Sequence, residues 1–446
     1  MTFPITDNTP ITYPGPPPAQ ADVVVLGGGI IGVMTAWFLA QAGSRVVLCE
    51  KGRVAGEQSS RNWGWIRQTG RDPAELPVVI EALQIWESLA LQFGDALGFR
   101  RSGVMYMAKS EADMAGYAAW LPHATGLGVD SRLISAADVQ NRLAGTTPWA
   151  GALYTPSDAR AEPFAAVPLL ARGAVAQGAV IVENCAVRAL DIAAGRVTGV
   201  ITEQGRIACG QVVVAGGAWS SLFLRAHGVA IPQLSVRSSA AATEPMGQGP
   251  DVAGVDDEFA FRRRADGGYT LAPGGAHDFF LGPDALRNIA PYWPVFTKDF
   301  RSTRLLPKAP AHFPDAWRTP RRWDADRASP FEAARILNPA PNMAYLARVQ
   351  SAFARAFPSL GRPKLRSAWA GMIDTMPDVV PVVDHAPTIP GLIIATGMSG
   401  HGFGIGPAFG RIIADLVLGR PAGHDMTRFR LSRFSDGSPL QPGPSL

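Results

Sequence analysis

Between residues 21 and 50 the apolar positions change period twice. Ala21–Leu26 is a continuous apolar run of strand length, Ile30–Ala42 is apolar at helical length and stops before Gly43, and Arg45–Glu50 is strand-like again. The first two runs are separated by Gly27-Gly28-Gly29, which predicts strand, turn and helix and not one long membrane-spanning stretch. Further along, the pattern predicts an amphipathic helix from Pro73 to about Phe93 and a short strand, Gly103–Ala108, entering a second domain. A helix over Pro163–Gln177, strands at Ala179–Val182 and Ala186–Ile192, a turn at Gly195 and a strand Gln211–Ala215 then extend the first sheet. β-like runs at Ile231–Thr243 and Glu258–Leu271 precede a stretch rich in Pro, Trp and Arg. The strand Gly391–Thr396, a glycine-rich loop and a helix Pro407–Leu418 mirror the opening of the chain. No internal repeat of fixed period is present.

At 446 residues the chain is too long for one compact core, which predicts two lobes sharing a cleft. Its 47% hydrophobic and 17% charged residues exclude a disordered chain. A net charge of +4, from 41 basic and 37 acidic residues, is too slight to point to nucleic acid. Cys49, Cys185 and Cys209 have no CxxC or histidine-rich neighbourhood, so neither a disulfide framework nor a metal site is expected, and a reducing cytoplasm is the expected location. Residues 1–20 carry six prolines without a basic and then apolar run, and read as a flexible leader. The segment after residue 430 reads as a loose tail.

Gly27-x-Gly29-x-x-Gly32 lies directly after a strand and opens a helix, as a dinucleotide fold requires. The first glycine turns the chain, the second admits a pyrophosphate, and the third packs helix on strand. Glu50 closes the second strand, where its carboxylate can accept hydrogen bonds from the hydroxyls of an adenosine ribose. Together with Ile30, Ile31 and Lys51 these residues form the expected cofactor set of the opening unit. The motif does not separate FAD from NAD, but two later segments favour FAD. Gln211-Val-Val-Val-Ala-Gly-Gly-Ala-Trp219 ends a strand in small residues, with Ala215, Gly216 and Trp219 at the carboxyl edge of the sheet. The loop after Gly391–Thr396 can bring backbone N–H groups and a helix end to the anionic side of a reduced flavin. The expected architecture is α/β, with a discontinuous Rossmann-type FAD-binding domain (20–95, 150–230 and 365–425). An α+β substrate domain on a mostly antiparallel sheet (96–149 and 231–364) and flexible tails (1–19 and 430–446) complete it.

The order of these segments resembles the D-amino-acid oxidase-like family of flavoproteins, which includes glycine oxidase and monomeric sarcosine oxidase. The resemblance spans roughly residues 20 to 420. It rests on the opening fingerprint, Ser59-Ser60-Arg61-Asn62, Trp369-Ala-Gly-Met-Ile-Asp-Thr-Met-Pro-Asp378 and Thr396-Gly-Met-Ser-Gly-His-Gly-Phe403. It implies that Ser59 to Asn62 run along the pyrophosphate and flavin and that Val187 bonds the adenine through its backbone. It also implies that Gly400, His401, Gly402, Phe403 and Gly404 hold the isoalloxazine ring. The implied chemistry is hydride removal from the carbon beside an amine, giving an imine that water hydrolyses, with reoxidation by oxygen.

The departures from the family pattern narrow this expectation. Gly371 stands where sarcosine oxidases of the family place a flavin-linking cysteine, which implies non-covalent FAD. Gly404 stands where they place a lysine that grips the substrate carboxylate, and Thr270 matches the lysine they use to activate oxygen. Arg67, in Trp63-Gly-Trp-Ile-Arg67, is the best remaining anion anchor, because a guanidinium grips a carboxylate with two parallel bonds; a structural salt bridge is its alternative role. Trp65 and Tyr269 could line a substrate pocket or simply be core. His401 could orient substrate or satisfy backbone groups. The substrate expected is a small-molecule amine or amino acid. Residues 281–330 hold nine Lys or Arg and five Asp or Glu among Trp293, Phe296, Phe300, Phe313, Trp317 and Trp323, a pattern that fits either a packed insertion or weak docking on a membrane or electron acceptor. Two further classes stay open. One is a quinone-coupled or carrier-coupled dehydrogenase with the same half-reaction, and the other is a non-catalytic FAD-binding subunit of a larger complex.

Overall fold

A computed structural model describes residues 3–299 and 302–443. Strand β1 (Val23–Leu26), helix α1 (Ile30–Gln41) and strand β2 (Val46–Cys49) form the expected opening unit, with β1 and β2 parallel and in register from Val23 opposite Val46. All eight strand residues are buried, which is why their sequence is apolar without alternation. The sheet has six strands in the order Val382–His385, Leu392–Thr396, Gln211–Val214, β1, β2, Val180–Val182, and only the first of these runs antiparallel to its neighbour. Helix α1 is buried on nearly every side because it packs against both Pro163–Ala176 and Gly402–Val417.

After β2 the chain makes a short strand β3 (Trp65–Ile66) and helix α2 (Leu76–Phe93). Among the described residues α2 is the one helix long and apolar enough to cross a membrane, and its apolar face is occupied by packing inside the protein, with Trp86 against Phe403. The second lobe is a ten-stranded, mainly antiparallel sheet. Its longest pairing joins β4 (Leu234–Thr243) to β5 (Leu365–Thr375), from Leu234 opposite Thr375 to Thr243 opposite Leu365. The chain is thus a mixed α/β protein with one mainly parallel and one mainly antiparallel large sheet and two three-stranded sheets; Val187–Ala193, expected to extend the first sheet, instead pairs with Arg196–Thr202 in one of the small antiparallel sheets.

Several boundaries differ from the sequence expectation. Gly151–Thr155 and β5, expected in the cofactor domain, are strands of the second sheet, because their apolar residues pair with Val104–Ala108 and β4 respectively. The last helix, α3, starts at Gly402 and not at Pro407, since burial of Phe403 and Ile405 outweighs the poor helix propensity of the intervening glycines. The leader is docked: Phe3 meets Trp369 edge-on at 4.7 Å, Ile5 is buried, and Arg53 donates to the carbonyls of Thr9 and Asp7. The start of the expected C-terminal tail is pinned as well, with Arg433 holding Asp378 through two bonds of 2.8 and 3.1 Å. In the stretch 281–330, Phe313 and Trp323 pack inward while Trp293, Phe296 and Trp317 face solvent; Phe300 lies outside the described residues.

Candidate active site

A cavity of about 1260 Å³, partly open to solvent, runs from the β1–α1 turn past the carboxyl edge of the parallel sheet to the start of α3. Its run along the sheet edge, from one glycine turn to the other, suits an extended ligand. The first turn is shaped by backbone proximity. Gly27 adopts φ +107° with its absent Cβ only 2.4 Å from the Ala215 carbonyl, and a Cβ on Gly32 would lie 2.0 Å from the Gly27 carbonyl. The cradle they leave opens on the N-terminus of α1, whose first N–H groups suit a pyrophosphate. The Ser59 hydroxyl takes the Ile30 N–H at 2.9 Å and so ties the second segment to the first.

Of the expected cofactor residues, Gly27, Gly29, Ile30, Ile31, Glu50, Lys51, Ser59, Asn62, Val187, Ala215, Gly216, Trp219, Gly400, Gly402 and Phe403 line this cavity. Gly32 supports the turn from behind. Ser60 and Arg61 do not line it. Arg61 is buried and spends its guanidinium on the carbonyls of Gly56, Ala370 and Ile5 and on Asn338, so its role is to brace the Ser59–Asn62 turn. Gly371 also lies behind the wall, where a Cβ would come 1.8 Å from Gln58 Oε1. Gly404 packs its α-carbon face on β3, a Cβ there falling 3.1 Å from the Trp65 carbonyl, so this position is filled by backbone and is not part of the cavity wall.

Glu50 accepts from the N–H groups of Gly28 and Gly52, both at 2.6 Å, and burial pushes its carboxyl up to about 7 against the pull of Lys51 and those two bonds. Sequence reasoning missed Asp374 and Gln58, which also line the cavity. Asp374 is buried and takes the N–H groups of Gly397 at 2.8 Å and Met398 at 3.3 Å, thereby fixing the turn before α3. Gln58 Oε1 is a buried acceptor with no protein partner, an orphan that a bound ligand can satisfy.

None of the four expected substrate residues lines the cavity, but three of them, Arg67, Trp65 and His401, lie beside the start of α3. Arg67 donates to the Thr69 carbonyl and lies 5.3 Å over the Tyr106 ring, so its partners are a carbonyl and a ring and not a carboxylate. Trp65, two residues earlier in β3, has a buried indole N–H with no hydrogen-bond partner. His401 caps α3 and places Nδ1 3.2 Å from Glu75 Oε2. Tyr269 is the exception. It is fully buried beside Phe261 and Phe353 and gives its hydroxyl to the Pro250 carbonyl at 3.0 Å, which makes it core of the second lobe. Arg71, unnoticed in the sequence, joins the cluster with a buried Nη1 that has no partner, and burial together with Arg67 lowers it to about 9.

Burial, then Arg71, push His401 down to about 4 against the pull of Glu75, so the imidazole is neutral at pH 7. An unfolded histidine titrates near 6.5. The unfolded chain therefore takes up this proton first, and stability falls as pH drops from 6.5 towards 4, by no more than about 3 kcal/mol. Comparing thermal melts over that window, His401→Gln should lose less stability than the wild type; parallel pH curves would show that this imidazole does not titrate as described.

The family described as FAD dependent oxidoreductase matches residues 22–416. The L-amino acid deaminase from Proteus myxofaciens, solved in complex with anthranilate, superposes with a TM-score of 0.90 at 29% identity, covering 96% of this chain and 97% of that one. Mitochondrial sarcosine dehydrogenase of Mus musculus is 25% identical over 441 residues, 94% of this chain and 42% of its own length, so this chain spans less than half of that relative. The sarcosine oxidase subunit beta of Rhizobium meliloti (strain 1021) is 26% identical over 432 residues, 95% of this chain and 90% of its own. With a glycine cradle, a helix end and a second glycine turn on one cavity inside the matched residues, the chain belongs to the FAD dependent oxidoreductase (DAO) family.

Proposed function

We propose that this protein oxidises the C–N bond of an amino acid or a primary or secondary amine. The observation that carries the reading is the continuity of one cavity from the Gly27–Gly32 turn to the Gly400–Phe403 turn, with the backbone of Trp65 and Arg67 packed on the next residue, Gly404. FAD in a Rossmann-type site there supplies the acceptor for the hydride removed from the carbon beside the amine. The chain's own residues do the rest. The α1 N-terminus and Ser59 hold the pyrophosphate end, Asp374 fixes the turn at the ring end, and Arg67 anchors a substrate carboxylate. A neutral His401 and the buried indole N–H of Trp65 supply polar groups near the same end of the cavity. The resulting imine is hydrolysed by water. Anaerobic mixing with a panel of amino acids and amines should bleach the flavin absorbance; binding of FAD without bleaching by any member would leave the non-catalytic subunit as the better reading. The FAD is non-covalent, since Gly371 offers no sulfur and is screened from the cavity by Gln58. Acid-precipitated protein should therefore turn colourless, and a yellow pellet would overturn this point.

Two observations favour a carrier or quinone as the electron acceptor over oxygen. At Thr270, the position that by resemblance holds an oxygen-activating lysine, the nearby guanidinium of Arg262 is neutralised by two bonds to Glu162 at 2.8 and 3.1 Å. On helices Pro283–Arg287 and Ile289–Asp299, Leu286, Ile289, Trp293 and Phe296 are exposed together, an apolar face fit for weak docking on a membrane or electron carrier. Stopped-flow reoxidation decides between them. Fast reoxidation by air supports an oxidase, and slow reoxidation by air with fast turnover by a quinone supports the dehydrogenase.

A further inference from the structure

The segment Trp323–Leu337 comes from the part of the chain expected to serve the substrate, yet it lies on the cofactor lobe. Phe331 is buried, lines the cavity, and meets Trp219 at 5.6 Å, Phe223 at 5.9 Å and Trp323 at 5.3 Å. Glu332 takes two bonds from Arg188 at 2.5 and 3.0 Å. Arg335 grips Glu203 with two bonds of 2.8 and 2.7 Å and donates to the Lys51 carbonyl at 2.7 Å. Lys51, itself on the cavity wall, returns bonds to the carbonyls of Ala334 at 2.9 Å and Arg335 at 2.6 Å. The backbones touch so closely that a Cβ on Gly52 would lie 2.4 Å from the Arg335 carbonyl. The Leu337 N–H and the Trp219 indole N–H meet on the same carboxylate oxygen of Glu57.

These contacts lie over one end of the cavity. It is the end with Glu50, Lys51 and Val187, opposite the Gly400–Phe403 turn, and so the end that takes adenosine if the pyrophosphate lies on α1. Of the two anchors on the cofactor lobe, Arg188 adjoins Val187, and Glu203 accepts the Ala186 N–H at 2.7 Å. We propose that Trp323–Leu337 is a clasp over the adenosine half of FAD, with Phe331 as its inner wall, and that FAD leaves only when the clasp opens. A ring of charge-assisted, paired bonds at the rim makes that opening slow, while the aromatic wall excludes water from the base. The inference rests on the reading that this cavity holds FAD.

The test is the rate of FAD release from the full-length holoprotein after dilution, followed by flavin fluorescence. Arg335→Ala should release FAD roughly 10- to 100-fold faster, and Arg335→Lys should fall between it and the wild type. Gly52→Val, which pushes the clasp away without touching its ion pairs, should speed release as well. Arg206→Ala, which removes an exposed pair with Asp191 outside the clasp, should not. As a second measurement, trypsin should cut after the exposed Arg322 and Arg327 more slowly with FAD bound than without it. Release within about twofold of wild type in both Arg335→Ala and Gly52→Val, or equal cleavage with and without FAD, overturns the clasp while leaving the cofactor reading intact. A wild-type protein that retains no FAD overturns both.

Discussion

Replacing Arg67 with alanine is expected to lower kcat/KM for amino acids roughly 30- to 1000-fold while leaving FAD bound, as judged by the visible spectrum. The reason is electrostatic. A carboxylate entering a partly dry cleft needs a cation, and a charge-assisted bidentate pair there contributes ~2–4 kcal/mol to holding it. Arg67 is half-buried just after β3, with its guanidinium on the Thr69 carbonyl and over the Tyr106 ring. Gly404 cannot share the task, because β3 backbone fills the space its side chain would need. Simple amines, which bring no carboxylate, should be affected far less. Equal losses for amines and amino acids would assign Arg67 to structure, and Arg71, buried beside it with an unpartnered nitrogen, would become the stronger anchor.

Arg71 also shows where sequence reading ends. Arg67 was legible because it follows the Ser59–Asn62 segment by a few residues and is the next basic residue after Arg61. Arg71 and Glu75 belong to the next turn and helix, and only the meeting of that helix with α3 brings them to His401. The opening unit was legible for the opposite reason: strand, glycine turn, helix and acid are local, and burial on both faces of the sheet prints itself as continuous apolar runs. Tyr269 illustrates the opposite error. An aromatic beside a position with a family role invited a pocket reading, but its strand turns that ring into the core around Phe353. Asp374 lay in plain view within the Trp369–Asp378 segment, yet nothing local says that its carboxylate turns towards Gly397 and Met398, some twenty residues on. The clasp was invisible for the same reason, since its anchors Arg188 and Glu203 lie more than a hundred residues upstream.

Removing the Asp374 carboxylate should cost the protein most of its hold on FAD. The group sits where β5 meets the turn after Leu392–Thr396 and takes the N–H groups of Gly397 and Met398, with Gln233 Nε2 at 3.3 Å. Burial holds the carboxyl above its ordinary range, and those same bonds oppose the shift. Alanine would leave these buried donors unsatisfied, at roughly 1–3 kcal/mol for each, and the turn can relieve them only by moving away from the cavity. Asp374→Ala should therefore weaken FAD binding by about 100-fold or more, measured by titrating apoprotein with FAD and following flavin fluorescence. Asp374→Asn keeps the shape and one acceptor oxygen and should lose less than about tenfold. The second lobe should be untouched, because the β4–β5 pairing runs through backbone bonds, and far-UV circular dichroism of both variants should match the wild type. If alanine binds FAD as tightly as the wild type with its fold intact, the turn is rigid without Asp374 and the carboxylate has no part in the cofactor site.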